Sequence, residues 1–168
     1  PELQRLRSKL VTPTGIAGGG VSAADFDGDG FMDLYFAGGG GGQLWRNVGG
    51  KRFEDYSRAM GLTREGETRA GYFVDYDNDG DLDLFLTFVF RTNRLYRNEG
   101  NGKFLNVTDS VGIAGGQLVT HEAVWFDFDN DGLLDVYIAN FGMWPKGDMP
   151  DLTIRNSSAP PNQFYHQK

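Results

Sequence analysis

The chain has 168 residues, with 23 acidic against 16 basic side chains, a formal net charge of −7 and no cysteine. An acidic excess without a basic patch excludes a nucleic-acid-binding protein, and the absence of cysteine excludes a disulfide scaffold. No apolar run approaches the ~20 residues of a membrane-spanning helix, so no membrane span is expected.

Residues 1–16 are predicted to supply a strand equivalent to the fourth strand of a preceding repeat. The segment 10–16 matches residues 106–113, which end the fourth strand of a later repeat. The first residues contain neither an apolar signal core nor an initiator methionine, which is typical of a mature or excised chain.

Three repeats are then predicted, at residues 17–62, 63–113 and 114–168. In each, two short aromatic or β-branched segments flank an acidic loop. A strand, a Gly/Asn turn and a strand beginning at phenylalanine follow at 43–53 and 94–104. Four antiparallel strands in about 50 residues favour an all-β fold of β-propeller blades. The third repeat lacks its fourth strand and carries an insert at about 141–161, where four prolines argue against strands.

The acidic loops, at 25–33, 75–83 and 127–135, share aspartate at positions 1, 3, 5 and 9 and glycine at position 6. One such cluster is usually a simple turn, but three with identical spacing are not. The repulsion among four carboxylates requires a cation, and Ca2+ prefers such all-oxygen ligands, supplemented by the position-7 carbonyl. The ligands predicted for three Ca2+ sites are Asp25, Asp27, Asp29, Phe31 and Asp33; Asp75, Asp77, Asp79, Asp81 and Asp83; and Asp127, Asp129, Asp131, Leu133 and Asp135.

These loops are not EF-hands. An EF-hand needs a bidentate glutamate at position 12 and a helix on each side. Position 12 holds Phe36, Leu86 and Ile138, and strands are predicted on both sides. Each loop should therefore connect the first and second strands of a blade.

The second repeat resembles the FG-GAP/VCBS repeat of integrin α-subunit heads. The resemblance lies in Phe-Val-Asp-Tyr-Asp-Asn-Asp-Gly-Asp-Leu-Asp-Leu at 73–84 and Asn-Arg-Leu-Tyr-Arg-Asn-Glu-Gly-Asn-Gly-Lys-Phe at 93–104. The variety found in cartilage acidic protein and its bacterial relatives is the most similar. The resemblance implies calcium-stapled propeller blades with the loop aspartates as ligands. It implies no single role, since the family includes adhesion heads, lectins and domains appended to enzymes.

Ligand binding is expected on the face opposite the calcium loops, where the connections vary most between repeats. A protein or a glycan is the expected ligand, and Trp144, in the insert, is the candidate contact residue. Asn156 and Asn106 begin N-glycosylation sequons. The acidic loops and sequons favour an extracellular or cell-surface location, with the periplasm as an alternative.

No enzymatic activity is expected. His121 is predicted to lie just before the first strand of the third repeat and is followed by Glu122. His166 lies in the last predicted strand, but no motif supplies either histidine with a nucleophile. The sequence favours a non-enzymatic module for extracellular adhesion, protein interaction or assembly, with a lectin-like glycan binder as one alternative.

Fewer than three complete blades cannot close a propeller, because known propellers have at least about four. Three explanations remain: a part of a longer propeller, a self-assembling structural subunit, or an open monomer with unpaired sheet edges. In the self-assembling subunit, residues 3–12 would complete a neighbour's third blade by strand addition, giving a homo-oligomeric ring or a filament.

Overall fold

The computed structural model describes residues 19–141 and 161–168. The fold is all-β, with 48% of residues in strands and 3% in helix, as predicted. The expected strand in residues 1–16 and nearly all of the insert at 141–161 lie outside the described residues. The elements are β1 (Val21–Ala24), β2 (Asp33–Phe36), β3 (Gln43–Val48), β4 (Arg52–Asp55), β5 (Thr68–Val74), β6 (Asp83–Arg91), β7 (Arg94–Asn98), β8 (Phe104–Asn106), α1 (Thr108–Val111), β9 (Leu118–Phe126), β10 (Asp135–Phe141) and β11 (Gln163–Tyr165).

Each repeat is an antiparallel sheet whose strands follow one another in chain order. β1 to β4 form the first sheet, and β5 to β8 pair in the same order in the second. The described part of the third repeat contains β9, β10 and β11. The prediction of four-stranded repeats is therefore confirmed for the first two repeats.

Neighbouring repeats also pair through their main chains. The end of β6 pairs with the start of β9, through Val89 with Val119 and Arg91 with Leu118, around a register shift. An isolated bridge joins Gly39 to Glu67 between the first and second repeats. These contacts lie at the edge opposite the acidic loops.

This pairing corrects two expected boundaries. The sequence predicts connections at 63–69 and 114–121, but β5 begins at Thr68 and β9 at Leu118. His121 therefore lies within β9 and not before it. Each first strand extends further because the preceding repeat offers main-chain groups that satisfy its amides and carbonyls.

The hydrophobic cores lie between repeats. Strand β6 separates them, because successive side chains of a strand point to opposite faces. Leu84, Leu86 and Phe88 face the first repeat, whereas Phe85 faces the third. All four are at most 1% exposed. The first core contains Phe26, Tyr35, Leu44, Met60, Leu62, Leu84, Leu86, Phe88, Tyr96 and Phe104. The second contains Val74, Tyr76, Phe85, Leu95, Val107, Ile113, Ala123, Val136 and Ile138.

Among residues 19–141 and 161–168, the helical content is a single four-residue turn, too short to cross a membrane.

Candidate metal centres

The three acidic loops have nearly the same backbone conformation. Each connects the first and second strands of its repeat, as predicted. Positions 4 and 6 are left-handed, with φ of 69° at Gly28, 58° at Asn78 and 61° at Asn130, and 87–94° at the position-6 glycines. Glycine and asparagine adopt this region most readily, which explains the residue types at position 4.

The aspartates at positions 1 and 5 organise the loop backbone. In the first loop, Asp25 accepts hydrogen bonds from the amides of Asp29 (3.0 Å) and Gly30 (2.8 Å). Asp29 accepts one from the amide of Phe31 at 3.0 Å. The same bonds recur in the other two loops at 2.9–3.2 Å. These bonds curl each loop around its own carboxylates.

The aspartate at position 9 is buried and ties the loop to the third strand. Asp83, which is 0% exposed, accepts hydrogen bonds from the amides of Tyr76 (2.9 Å) and Asn98 (2.8 Å). Asp33 and Asp135 accept the equivalent pairs of bonds. Burial raises the pKa of Asp83 to about 7 despite these two amides, and it also raises the pKa of Asp33.

Carboxylates converge in all three loops. One oxygen from each of three aspartates lies within 4.8 Å of the others. Such close negative charges repel one another unless a cation neutralises them. Burial, followed by the charge of Asp79, raises the pKa of Asp77. The converging sets are Asp25, Asp27 and Asp29; Asp75, Asp77 and Asp83; and Asp127, Asp129 and Asp135.

The second loop contains a carboxylate oxygen that needs a partner. Oδ1 of Asp77 is buried and accepts no hydrogen bond within the described part of the chain. An unsatisfied buried oxygen is costly, and coordination of a cation would satisfy it. Because these three sets contain only carboxylates, the residues present fit a hard divalent cation such as Ca2+.

The structure brings together nine of the predicted ligands in these three sets. Asp33, Asp79 and Asp81 are in none of them, and Asp131 converges instead with Asp129 and His166. Hydrogen bonds to the position-5 aspartates come from the main-chain amides of Phe31, Asp81 and Leu133. That their carbonyls coordinate the cation stays a prediction.

The sequence reasoning missed a basic residue beside two of the loops. Arg46 pairs with Asp27 at 2.5 Å and with Asp29 at 3.0 Å, and His166 Nε2 lies 3.2 Å from Asp129. Arg46 and His166 each precede the residue whose amide binds the position-9 aspartate. A basic residue at the same position of each repeat was the sequence signal that could have identified them.

Adjacent loops are also linked by asparagine side chains. Nδ2 of Asn78, in the second loop, donates to the carbonyl of Gly132 in the third loop at 2.7 Å. Nδ2 of Asn98, in the second repeat, donates to the carbonyl of Phe26 in the first loop at 2.8 Å. The three candidate centres therefore lie along the same edge of the repeats and are linked to one another by these hydrogen bonds.

Two other predicted residues, Trp144 and Asn156, lie outside the described residues, so the glycan-contact prediction and one glycosylation prediction remain untested. Asn106 is exposed, and its Oδ1 accepts hydrogen bonds from the amide and hydroxyl of Thr108 at 3.1 and 2.6 Å. Its glycosylation also stays a prediction.

The model of a protein family described as an FG-GAP-like repeat matches residues 25–86 and 75–138, which together cover more than half of the chain. The chain belongs to the FG-GAP-like repeat family. Each FG-GAP-like match begins at an acidic loop, crosses the following hairpin and ends after the next loop. No curated protein matches the sequence. The specific likeness to cartilage acidic protein and the VCBS variety stays a prediction. FG-GAP-like repeats are generally non-enzymatic interaction modules.

Proposed function

We propose that this chain is a non-enzymatic, calcium-stabilised β-propeller repeat module for adhesion, protein interaction or assembly outside the cell. The observation that carries the proposal is the convergence of three carboxylates in each loop, including Oδ1 of Asp77, which has no hydrogen-bond partner among the described residues. FG-GAP-like repeats often bind calcium and are typical of extracellular and surface proteins, which supports both parts of the proposal.

Different loop residues would have different roles in binding Ca2+. The position-1 and position-5 aspartates hold the loop backbone, and the position-9 aspartate fixes the loop to the third strand. A bound divalent cation would neutralise the converging carboxylates. Three such ions would change the formal charge from −7 to about −1. The ions would therefore remove the main electrostatic cost of folding these loops.

The edge opposite the loops is the proposed ligand-binding surface. It holds the end of β6, where Phe90 is 49% exposed with a φ of 57°. A bulky residue in the left-handed region is uncommon and is often found at functional sites. Here the strained residue lies at the register shift between β6 and β9 and presents an aromatic ring to solvent.

Calcium removal tests the proposal. Ca2+ that binds only the folded chain stabilises it by about 2.7 kcal/mol per site at 100 times Kd. We therefore expect Tm in EDTA to be roughly 5–10 °C lower for each occupied site lost, with little recovery in Mg2+. Circular dichroism melting curves measure this difference. Asp79→Ala should remove part of the calcium effect, whereas Asp109→Ala, an exposed carboxylate outside the loops, should leave it unchanged. Identical melting curves in EDTA and Ca2+ would contradict the proposal.

A specific observation favours self-assembly as the form that this module takes. The third repeat exposes an apolar face whose counterparts in the second repeat are packed in the second core. The exposed residues are Val124 (54%), Phe126 (40%), Phe128 (48%), Tyr137 (41%) and Phe164 (45%). Their counterparts are Tyr72, Val74, Tyr76, Phe85 and Leu95.

The opposite side of the first repeat exposes a matching face. Val21, Phe36 and Phe53 are 63%, 41% and 44% exposed. Phe36 and Phe53 correspond to Leu86 and Phe104, which pack in the first core, and Val21 corresponds to Gly71, which lies against the ring of Tyr35. The two exposed faces are thus the two sides of an interface that this chain already forms twice between its own repeats.

We therefore propose that a second copy of this chain covers these faces, head to tail. Such a contact is heterologous, so copies close into a ring or extend into a filament. Exposed apolar patches of this kind mark protein interaction sites. The prediction that residues 3–12 add a strand to the neighbour concerns residues outside the described ranges and stays a prediction.

Sedimentation velocity over a concentration series tests self-assembly. We expect the mass to rise with concentration, and Phe164→Glu to shift the chain to monomer, because a buried unpaired charge opposes association. Leu105→Glu is the matched control: Leu105 is 49% exposed and lies where the first repeat carries Glu54. A monomer at all concentrations, or equal disruption by both variants, would overturn the assembly proposal.

A further inference from the structure

One basic residue of the repeat behaves differently in the first and second repeats. In the first, Arg46 is ion-paired to loop aspartates, with Nε 2.5 Å from Asp27 and Nη2 3.0 Å from Asp29. In the second, Arg97 is paired to Glu99, with Nε at 2.8 Å and Nη2 at 2.7 Å from the same oxygen. The guanidinium thus pairs with loop aspartates in one repeat and with a glutamate two residues later in the other.

One difference between the repeats lies two positions later. Asn47 and Asn98 occupy the same position in the two repeats, because the main-chain amide of each donates to a position-9 aspartate. Val48 therefore stands where the second repeat has Glu99. Valine offers the guanidinium no partner, and Arg46 pairs with the carboxylates of the loop and lies over the ring of Tyr56.

The cross-strand neighbours do not explain the difference. Val48 lies opposite Arg52 in β4, and the amide of Glu99 bonds the carbonyl of Lys103. Both positions therefore face a basic residue. Two differences remain: valine against glutamate two positions later, and Tyr56, whose ring centroid lies 5.4 Å from the Arg46 guanidinium, where the second repeat has Val107.

The two loops are left in different electrostatic states. In the first, a guanidinium occupies carboxylate oxygens of positions 3 and 5. In the second, none of the described basic groups lies within 4.0 Å of a loop carboxylate, and Oδ1 of Asp77 has no hydrogen-bond partner among residues 19–141 and 161–168. A cation entering the first loop must displace Arg46 or lie beside a like charge.

We propose that Arg46 is an internal competitor for Ca2+ at the first loop. Glu99 pairs with Arg97 and so leaves the carboxylates of the second loop available to bind Ca2+. The second loop then fills at lower calcium than the first. This inference rests on the proposed calcium binding and adds an order of filling to it.

Site-resolved titration of the whole chain tests the order. The amides of Gly30 and Gly80 each donate to a position-1 aspartate, so each amide resonance reports one loop in a 1H–15N correlation spectrum. During a Ca2+ titration we expect the Gly80 amide to reach its midpoint at a calcium concentration about 3- to 10-fold lower than the Gly30 amide. This is the factor expected for breaking the surface ion pairs of one guanidinium with two carboxylates.

Matched variants separate competition from net charge. Arg46→Gln should lower the Gly30 midpoint by about the same 3- to 10-fold factor. Arg97→Gln removes the same charge from the second repeat and should move the Gly80 midpoint much less. Val48→Glu keeps Arg46 but gives it a partner, so it should also lower the Gly30 midpoint. Glu99→Val should raise the Gly80 midpoint.

The outcomes distinguish this inference from the calcium proposal. If none of the loop glycine amides responds to millimolar Ca2+, calcium binding itself is wrong. If Gly30 and Gly80 respond with one midpoint, or if Arg97→Gln acts as strongly as Arg46→Gln, calcium binding stands and the competitor role is overturned. A folded far-ultraviolet spectrum for each variant ensures that the midpoints report binding.

Discussion

The hydroxyl of Thr108 accepts a hydrogen bond from the amide of Leu95 at 2.9 Å and donates one to Asn106 at 2.6 Å. Ser57 makes the same two bonds in the first repeat, with the amide of Leu44 and with Asp55. Both hydroxyl residues are buried. This arrangement fixes the end of the fourth strand against the third strand. It needs a hydroxyl group, which either serine or threonine supplies.

Thr108→Ala should therefore destabilise the chain. The change leaves a buried amide without an acceptor, which costs about 1–3 kcal/mol and lowers Tm by roughly 3–10 °C in a chain of this size. Thr108→Ser keeps the hydroxyl and should stay close to the parent. Thermal unfolding in saturating Ca2+ measures both variants. Equal losses for alanine and serine would mean that the methyl group, and not the hydroxyl, matters.

The same comparison explains the sequon at Asn106 without a glycan. Asp55, Tyr56 and Ser57 make the equivalent turn in the first repeat, and this sequence is not a sequon. The amide side chain of Asn106 and the carboxylate of Asp55 both accept from the residue two positions later. The residue types of the sequon are therefore accounted for by the turn.

Among the elements, β5 packs tightly against the preceding repeat at Gly71. A Cβ atom there would lie 2.4 Å from Tyr35 Cδ1 and 3.2 Å from a methyl of Leu86. Tyr35 is 1% exposed and belongs to the first core. Glycine at this position thus lets the first strand of one repeat pack against the ring of another.

Gly71→Ala should destabilise the interface between the first two repeats. Overpacking of a buried contact costs typically about 1–3 kcal/mol. The penalty should shrink in a Tyr35→Leu background, because the ring that meets the new methyl group is gone. Urea unfolding of the parent, both single variants and the double variant gives the coupling energy. Strictly additive effects would show that the two residues do not share the contact.

At this scale, part of the fold could be predicted from sequence. The loops and the strands beside them were predictable because the period and the turn residues repeat. The pairing of β6 with β9 was not, because it depends on main-chain groups of another repeat and on a register shift near Phe90. Tertiary contacts extended the first strands beyond what local pattern indicates.

The candidate site was predictable to the same degree. The spacing predicted the aspartates, and the structure brings nine of them together in three sets. The different orientations of Arg46 and Arg97 were not predictable from the repeat pattern, since both occupy one repeat position. They depend on neighbours that differ between the repeats, Val48 against Glu99 and Tyr56 against Val107, and these neighbours matter only once the strand alignment is known.

For the whole molecule, acidity and hydrophobicity are separated in space. Twelve of the 23 acidic residues are the loop aspartates at positions 1, 3, 5 and 9, and the loops share one edge of the repeats. The two cores lie between the sheets. Calcium and burial would therefore stabilise different parts of the same interface, and loss of the ions should loosen the loop edge first.

The repeats are joined at both edges. At the loop edge, Asn98 and Asn78 donate across repeats; at the other, Gly39 bridges to Glu67 and β6 pairs with β9. A sheet held at two edges cannot hinge about either of them. A ligand that spans two repeats would find its contact groups already at fixed spacing, so little ordering entropy would be lost when it binds.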